Sequence, residues 1–317
     1  MRRGWARHLH DALAAWLPQT RWSDRLLATL QFRAAHGRWP DSHRSMYTDV
    51  LHHMKVSREI LDPLRVFTTD KALAKLYIHA RLGEDLAVPT LAVLRTPDEV
   101  ASYQWPADCV IKPTHMSGRC IVRRAGSPVD VAQVQSWLVS DYARMTHEAN
   151  YRNLRRQVIV EPFALGQAPA RDWCFFCVHG EVRMIVVDHG EMQGTRPVRS
   201  RYTADWELIP VGASGGPPGR AHPPPPNLDA LKDIAGRLAA PFSFVRVDLY
   251  TDGEAVLVGE LTHCAGNGQT PYPDRSKEQR LTRQLFGADV VDAQAFFRPG
   301  ARAPAPQKNR MPPGSST

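Results

Sequence analysis

The sequence predicts an α+β fold, with helices gathered at the N-terminal end and antiparallel strands dominating the second half, on three observations. Residues 1 to about 66 carry apolar residues at helical spacing, as at Leu26, Leu27 and Leu30 and again at Leu51 and Met54. Two later stretches, WCFFCVHGEVRMIVVDHG from Trp173 and FSFVRVDLYTDGEAVLVGELT from Phe242, alternate apolar and polar residues around Gly-containing turns, which is the pattern of β-hairpins. At 317 residues, 43% hydrophobic and 23% charged, the chain is long enough for one large or two moderate domains with ample core.

In chain order, the N-terminal helices are interrupted at Gly37-Arg38-Trp39-Pro40 and at Asp62-Pro63. Thr69 or Asp70 can cap a helix through KALAKLYIHARL that stops at Gly83. VPTLAVL suits a buried strand, CVIK (109–112) is a strand ended by Pro113, and VAQVQSWLVSDYAR reads as one helix. QVIVEPF is a strand, and the hairpin from Trp173 turns at His179-Gly180. Residues 211–226, VGASGGPPGRAHPPPP, cannot form an element and read as a linker or lid-side loop. LDALKDIAGRLAA and SKEQRLTRQLFG are helices on either side of the second hairpin. The Pro-, Ala- and Ser-rich tail from about 298 reads as disordered.

Composition narrows the function. A net charge of +8 favours anionic partners such as nucleotides, phosphorylated glycans, nucleic acid or acidic lipid, without choosing among them. Five cysteines without framework spacing point away from a secreted disulfide scaffold and towards a reducing, cytoplasmic setting. Cys174 and Cys177 fall on opposite faces of one strand, so joint zinc ligation is not expected. No apolar run reaches the length of a membrane span. The basic, amphipathic start, with Arg2, Arg3 and Arg7 beside Trp5, Leu9, Leu13 and Trp16, can touch a membrane peripherally, although packing on the protein is the commoner outcome. Basic residues are not interleaved with aromatics in an RNA-binding pattern, and no nucleic-acid partner is expected.

The second hairpin carries the chemistry. Val245, Val247 and Leu249 share one face of its first strand, and Arg246 and Asp248 the other; Glu260 and Thr262 join that polar face only if the turn has odd parity. A two-residue turn at Asp252-Gly253 puts Asp248 and Glu260 on opposite faces. A three-residue loop makes them diagonal neighbours, roughly 7–8 Å apart at the backbone, where both can reach one hard cation. The alternative is a solvated strand face.

TDK (69–71), VIKP (110–113), HMSG (115–118), VIVEPF (158–163), DWCFFCVHGEV (172–182), RYTADW (201–206), FVRVDLY (244–250) and GELTHCAGNG (259–268), taken in order, resemble the ATP-grasp superfamily and, more specifically, its TupA-like branch. The resemblance runs from about residue 45 to 290. It implies an ATP-grasp fold in which two subdomains clasp ATP: a helical segment 1–66, a nucleotide-covering subdomain 67–165, an antiparallel-sheet subdomain with the metal site at 166–297, and the tail 298–317.

It also implies roles for particular residues. Lys71 and Lys112 supply charge to the phosphates, and the loop with His115, Ser117 and Gly118 covers them, although Thr114 and Met116 stand where the family usually has asparagine and glycine. Arg119 can compensate from its side chain. Glu161 meets the adenine amino group, the backbone at Phe163 and Ala164 completes that edge, and Asp172 matches the ribose acid. Ile111, Phe163 and Leu261 offer an apolar slot for the purine. Asp248, Glu260 and Thr262 correspond to the Mg²⁺ ligands, with Mn²⁺ an acceptable substitute, and Thr262 replaces a commoner asparagine. Arg246 is the phosphate-facing arginine, and Arg183 and Arg201 are candidates for steadying the transferred phosphate or an acidic substrate.

The implied activity is an ATP- and Mg²⁺-dependent ligase that joins a small-molecule or glycan-linked carboxylate to an amine through an acyl phosphate, in cell-surface polysaccharide synthesis. A sugar or polyol kinase on the same fold, and a non-catalytic basic nucleotide- or nucleic-acid-binding module, are the alternatives.

Overall fold

The computed structural model describes residues 4–166, 172–193, 196–212, 218–272 and 274–298. The expected disorder of the tail therefore falls almost wholly outside the described residues.

Two antiparallel sheets organise the chain. The smaller has the order β1-β4-β2-β3, built from β1 (Ala92–Leu94), β2 (Cys109–Pro113), β3 (Ile121–Arg123) and β4 (Val158–Glu161). Helices α6 (Pro97–Ser102) and α7 (Val131–Val139) lie on one of its faces. There Cys109, Ile111, Val158 and Val160 bury against Val100, Val134 and Trp137. The larger sheet has the order β7-β6-β5-β8-β9, from β5 (Trp173–Val178), β6 (Glu181–Gln193), β7 (Arg196–Thr203), β8 (Phe244–Thr251) and β9 (Val256–Thr262). Its β5–β6 turn places both His179 (φ 47°) and Gly180 (φ 82°) in left-handed conformations, the geometry that matches the twist of a two-residue hairpin loop.

Both faces of the larger sheet are apolar for much of their length. Helix α5 (Lys71–Leu82) and helix α9 (Leu228–Ala239) cover one, where Tyr77, Ile78, Leu231 and Leu238 meet Phe175, Cys177, Val245 and Val247. On the other, α3 (Tyr47–Val56), α10 (Arg275–Phe286) and α11 (Ala293–Phe296) bury Val50, Leu51, Leu281 and Phe286 against Phe176, Met184 and Phe244. Cys174 and Cys177 belong to these two different cores.

The chain order and the packing disagree in two places. Helix α5, expected in the nucleotide-covering subdomain, packs on the larger sheet, because its stripe Tyr77-Ile78-Leu82 matches that core. The single helix expected over 131–144 breaks at Ser140-Asp141 into α7 and α8 (Tyr142–Thr146), since Asp141 accepts from the Arg144 amide and starts a new helix. The caps of α5 are the ones its sequence demands: Asp70 accepts from the Ala72 and Leu73 amides, and Gly83 ends it in the left-handed region.

Helix α1 (Gly4–Trp16) packs on α2 (Arg21–His36) and leaves Leu9 and Trp16 exposed. The described part of the Gly/Pro-rich stretch lies along β7: Arg220 O accepts from Ser200 Oγ (2.7 Å) and Tyr202 Oη (3.1 Å), and the His222 amide donates to Tyr202 Oη (3.0 Å). It thus covers an edge strand as well as connecting elements.

Candidate active site

The β8–β9 hairpin brings Asp248 and Glu260 together by a different route from the one expected. Its turn has four residues, Asp252 to Ala255, and Asp252 Oδ1 accepts from the amides of Glu254 (3.0 Å) and Ala255 (2.9 Å). A four-residue turn alone would pair Asp248 with Gly259 and send Glu260 to the opposite face. The register slips by one residue between Asp248 and Leu249, Gly259 is left over as a bulge, and Asp248 faces Glu260 directly rather than diagonally. Gly259 is there because Tyr250 crosses it: an added Cβ would lie 2.8 Å from the Tyr250 ring. Gly259→Ala is accordingly expected to displace Tyr250 and lower stability by about 1–3 kcal/mol, measured by urea unfolding; unchanged stability would remove this account of the bulge.

The two acids converge on a cation. The Arg246 guanidinium donates to Asp248 Oδ1 through Nε (2.6 Å), and through Nη2 to Glu260 Oε1 (3.2 Å) and Thr262 Oγ1 (3.0 Å). Thr262 in turn donates to Glu260 Oε1 (3.0 Å). Burial pushes the Asp248 carboxyl up to about 7 and Arg246 only partly offsets this. Glu260 is driven up by burial as well, but Lys71, Arg246 and Thr262 outweigh it and hold the group at about 2. Two carboxylates and one hydroxyl form an oxygen-only donor set with few protein ligands, which suits Mg²⁺ completed by phosphate and water oxygens. Asp248, Glu260 and Thr262 would hold it.

Lysines enter from two sides. Lys71, at the start of α5, reaches Glu260 Oε2 (3.6 Å) and donates to Met116 O (2.6 Å), and its amide donates to Thr114 O (3.2 Å), tying the 114–118 loop to the helix. Lys112 comes from β2 and pairs with Glu161 Oε2 (2.9 Å). Lys75, which sequence reasoning missed, holds the other oxygen, Oε1, at 2.6 Å. The signal for it was present: Lys75 lies one helical turn beyond Lys71 on α5, hence on the same side.

The other expected residues have varied surroundings. Both oxygens of Glu161 are taken by lysines, so in this structure its carboxylate orients Lys75 and Lys112. His115 is buried and turned towards α7, its Nε2 3.1 Å from Trp137 O, so it supports the loop from behind. Ser117 and Gly118 (φ 68°) remain at the loop surface, Ala164 is buried beside half-buried Phe163, and Asp172 is exposed just ahead of β5. The apolar slot is not formed as expected, because Ile111 and Leu261 point into two separate cores. Alternation explains it: Ile111 has the opposite parity to Lys112, and Val110 is the apolar residue that shares the lysine's face. Arg201 lies in the Asp248 row but three strands away, and donates to Val211 O (2.6 Å). Arg183 pairs with Glu181 beside the β5–β6 turn (2.7 Å). Neither arginine joins the acid pair.

The family model of the TupA-like ATP-grasp proteins matches residues 51–286, from α3 to the end of α10. The chain belongs to the TupA-like ATP-grasp family. The two antiparallel sheets, with the acid pair on one and Lys112 on the other, are thus its ATP-grasp architecture. Similar solved structures include the ATP-grasp ligase PsnB complexed with a minimal precursor, at 13% identity and a TM-score of 0.38, covering 68% of this chain and 59% of that one. A D-alanine-D-alanine ligase from Helicobacter pylori has the same identity and TM-score, with 70% of this chain and 59% of that one covered. The ATP complex of the corresponding enzyme from Bacillus anthracis is 14% identical with a TM-score of 0.38, covering 71% and 60%. The chain therefore spans about three-fifths of the length of these structures. No curated protein matches it. Among the described residues, no helix is long and apolar enough to cross a membrane.

Proposed function

We propose that this TupA-like ATP-grasp chain is an ATP- and Mg²⁺-dependent ligase that activates a carboxylate as its acyl phosphate and joins it to an amine. The observation that carries the reading is the meeting of Lys71 and Arg246 at the Asp248–Glu260 pair, with Lys112 on the facing sheet. Such a group binds and neutralises a polyphosphate and needs no nucleophilic side chain of its own.

In this reading Lys71 and Lys112 hold phosphate oxygens from opposite sides, Lys75 and Glu161 keep Lys112 extended into the cleft, and the 114–118 loop closes over the tail. The divalent ion supplies Lewis-acid neutralisation of the phosphates when bound. Arg246 exchanges its acid partners for the phosphate being transferred and so stabilises charge that grows during the reaction. A glycan-linked uronic acid as the carboxylate, and the cytoplasm as the place of reaction, follow from the family's surface-polysaccharide association and from the five free cysteines.

The test is incubation with Mg-ATP, hydroxylamine and either glucuronate or galacturonate, followed by ADP release and hydroxamate colour. Hydroxamate appearing with ADP is expected, because hydroxylamine traps an acyl phosphate. A stable phosphorylated sugar without hydroxamate would instead make the chain a kinase, and failure to bind Mg-ADP at all would leave only a non-catalytic role.

A further inference from the structure

A cavity of about 490 Å³ opens between α1 and α2, and none of its lining belongs to the site described above. Arg7, His10 and Asp11 come from α1, Gln31, Ala34 and Ala35 from α2, and Gln269 from just past the turn Ala265–Gly268. All but Gln269 precede the residues that the family model matches, so the cavity lies largely outside the ATP-grasp frame.

Part of this polar lining is already engaged. Gln31 Oε1 accepts from Gln269 Nε2 (2.8 Å) and Lys55 Nζ (3.2 Å), while Gln31 Nε2 donates to Met145 O (3.1 Å) and lies 3.1 Å from His10 Nε2. His10 Nδ1 donates to Asp11 Oδ1 (2.9 Å), and His10 Nε2 lies 2.9 Å from His147 Nε2. The hydrogen bond from His10 holds the Asp11 carboxyl below its ordinary value, so Asp11 stays an anion. Three groups remain open. Among the described residues, no hydrogen bond or ion pair engages the Arg7 guanidinium, Asp11 Oδ2 or Gln269 Oε1. Arg7 and Asp11 lie four residues apart on α1, one helical turn, where opposite charges ordinarily pair with each other. Here they do not, and both line the cavity.

A guanidinium, a carboxylate oxygen and a carboxamide oxygen, all open around one cavity, call for a ligand with both signs of charge close together. A simple anion would satisfy Arg7 but meet two acceptor oxygens, and a simple amine would leave the guanidinium unmatched. An α-amino acid satisfies all three, and the cavity has the size of a small-molecule site. We propose that this cavity binds a free α-amino acid, with its carboxylate on the Arg7 fork, its ammonium donating to Asp11 Oδ2 and Gln269 Oε1, and its side chain towards Ala34 and Ala35. Gln269 also links the cavity to the strand of the acid pair. Its Nε2 holds Gln31, Gln31 accepts from Lys55, and Lys55 donates to Asn267 Oδ1 (2.6 Å) in the turn that follows β9. Binding there needs neither nucleotide nor metal, so the proposal is independent of the ligase reading.

The test is calorimetric titration of the full chain with L-alanine and with L-glutamine. Each is compared with its N-acetyl form, which lacks the ammonium, and with its amide, which lacks the carboxylate. At least one of the two amino acids is expected to bind, and both of its analogues to bind at least ~10-fold more weakly. Arg7→Gln is expected to abolish the preference over the amide while keeping that over the N-acetyl form, and Asp11→Asn to do the converse. Both side chains are exposed, so an unchanged Tm is expected in each variant; should either melt lower, the analogue series on the natural chain decides alone. The proposal is overturned if neither amino acid binds, if the analogues bind as tightly as the amino acid, if the variants leave both preferences intact, or if glucuronate binds equally well. Mg-ADP titrated separately reports on the nucleotide reading.

Discussion

Asp248→Asn combined with Glu260→Gln is expected to lower ATP turnover at least ~1000-fold while the fold survives. The loss follows from removing both anionic ligands of a divalent ion whose neutralisation of phosphate contributes several kcal/mol to the transition state, each ~1.4 kcal/mol being a factor of ten. The fold survives because amide oxygens can still accept from Arg246, which keeps its hydrogen bond to Thr262 Oγ1. Steady-state ADP release and near-UV circular dichroism check the two halves. A double variant turning over within tenfold of the natural chain, with native circular dichroism, would show that the acids do not serve the reaction. This substitution separates the ligase and kinase readings from the passive binding module, which predicts salt-sensitive RNA or DNA affinity that survives the change.

The second large effect concerns stability. Arg65, in α4 (Pro63–Thr69), is 1% exposed and ties together parts of the chain nearly two hundred residues apart. Its guanidinium donates to Phe244 O (2.8 Å) at the start of β8, contacts His263 Nδ1 (3.0 Å) just past β9, and meets Ser243 Oγ (2.8 Å) and Glu59 Oε1 (2.6 Å). Arg65→Leu fills part of the volume but strands these acceptors, and breaking a buried ionic cluster by removing one partner costs about 3–5 kcal/mol. Because Glu59 is partly exposed, the lower end of that range is expected. A urea midpoint corresponding to less than about 1 kcal/mol would mean that water replaces the arginine. The cluster matters to the site because it clamps both strands that carry the acid pair at the ends opposite their turn.

The legible and illegible parts of the site differ in kind. Lys71 and Lys112 stood out because one begins a capped helix and the other closes an apolar strand, both local facts. Lys75 was legible in principle through its spacing from Lys71, but its importance depends on Glu161, which arrives from β4, far away in sequence. The polar face of β8 followed from alternation alone. The face of Glu260 did not, because it turns on a single bulged residue whose presence is decided by Tyr250 crossing Gly259. His115 looked like a phosphate-loop residue from its place in a loop, and only packing shows its ring turned towards Trp137.

By itself the sequence determined the helix caps, the alternating strands, the turn at His179-Gly180 and the family to which the motifs belong. Each of these depends on neighbours a few residues away, through backbone conformation and side-chain periodicity. The tertiary structure alone decided the register that makes Asp248 face Glu260, the packing of α5 on the larger sheet and the second lysine on Glu161. These depend on pairings and desolvation contributed by segments tens to hundreds of residues apart, for which no local pattern carries information.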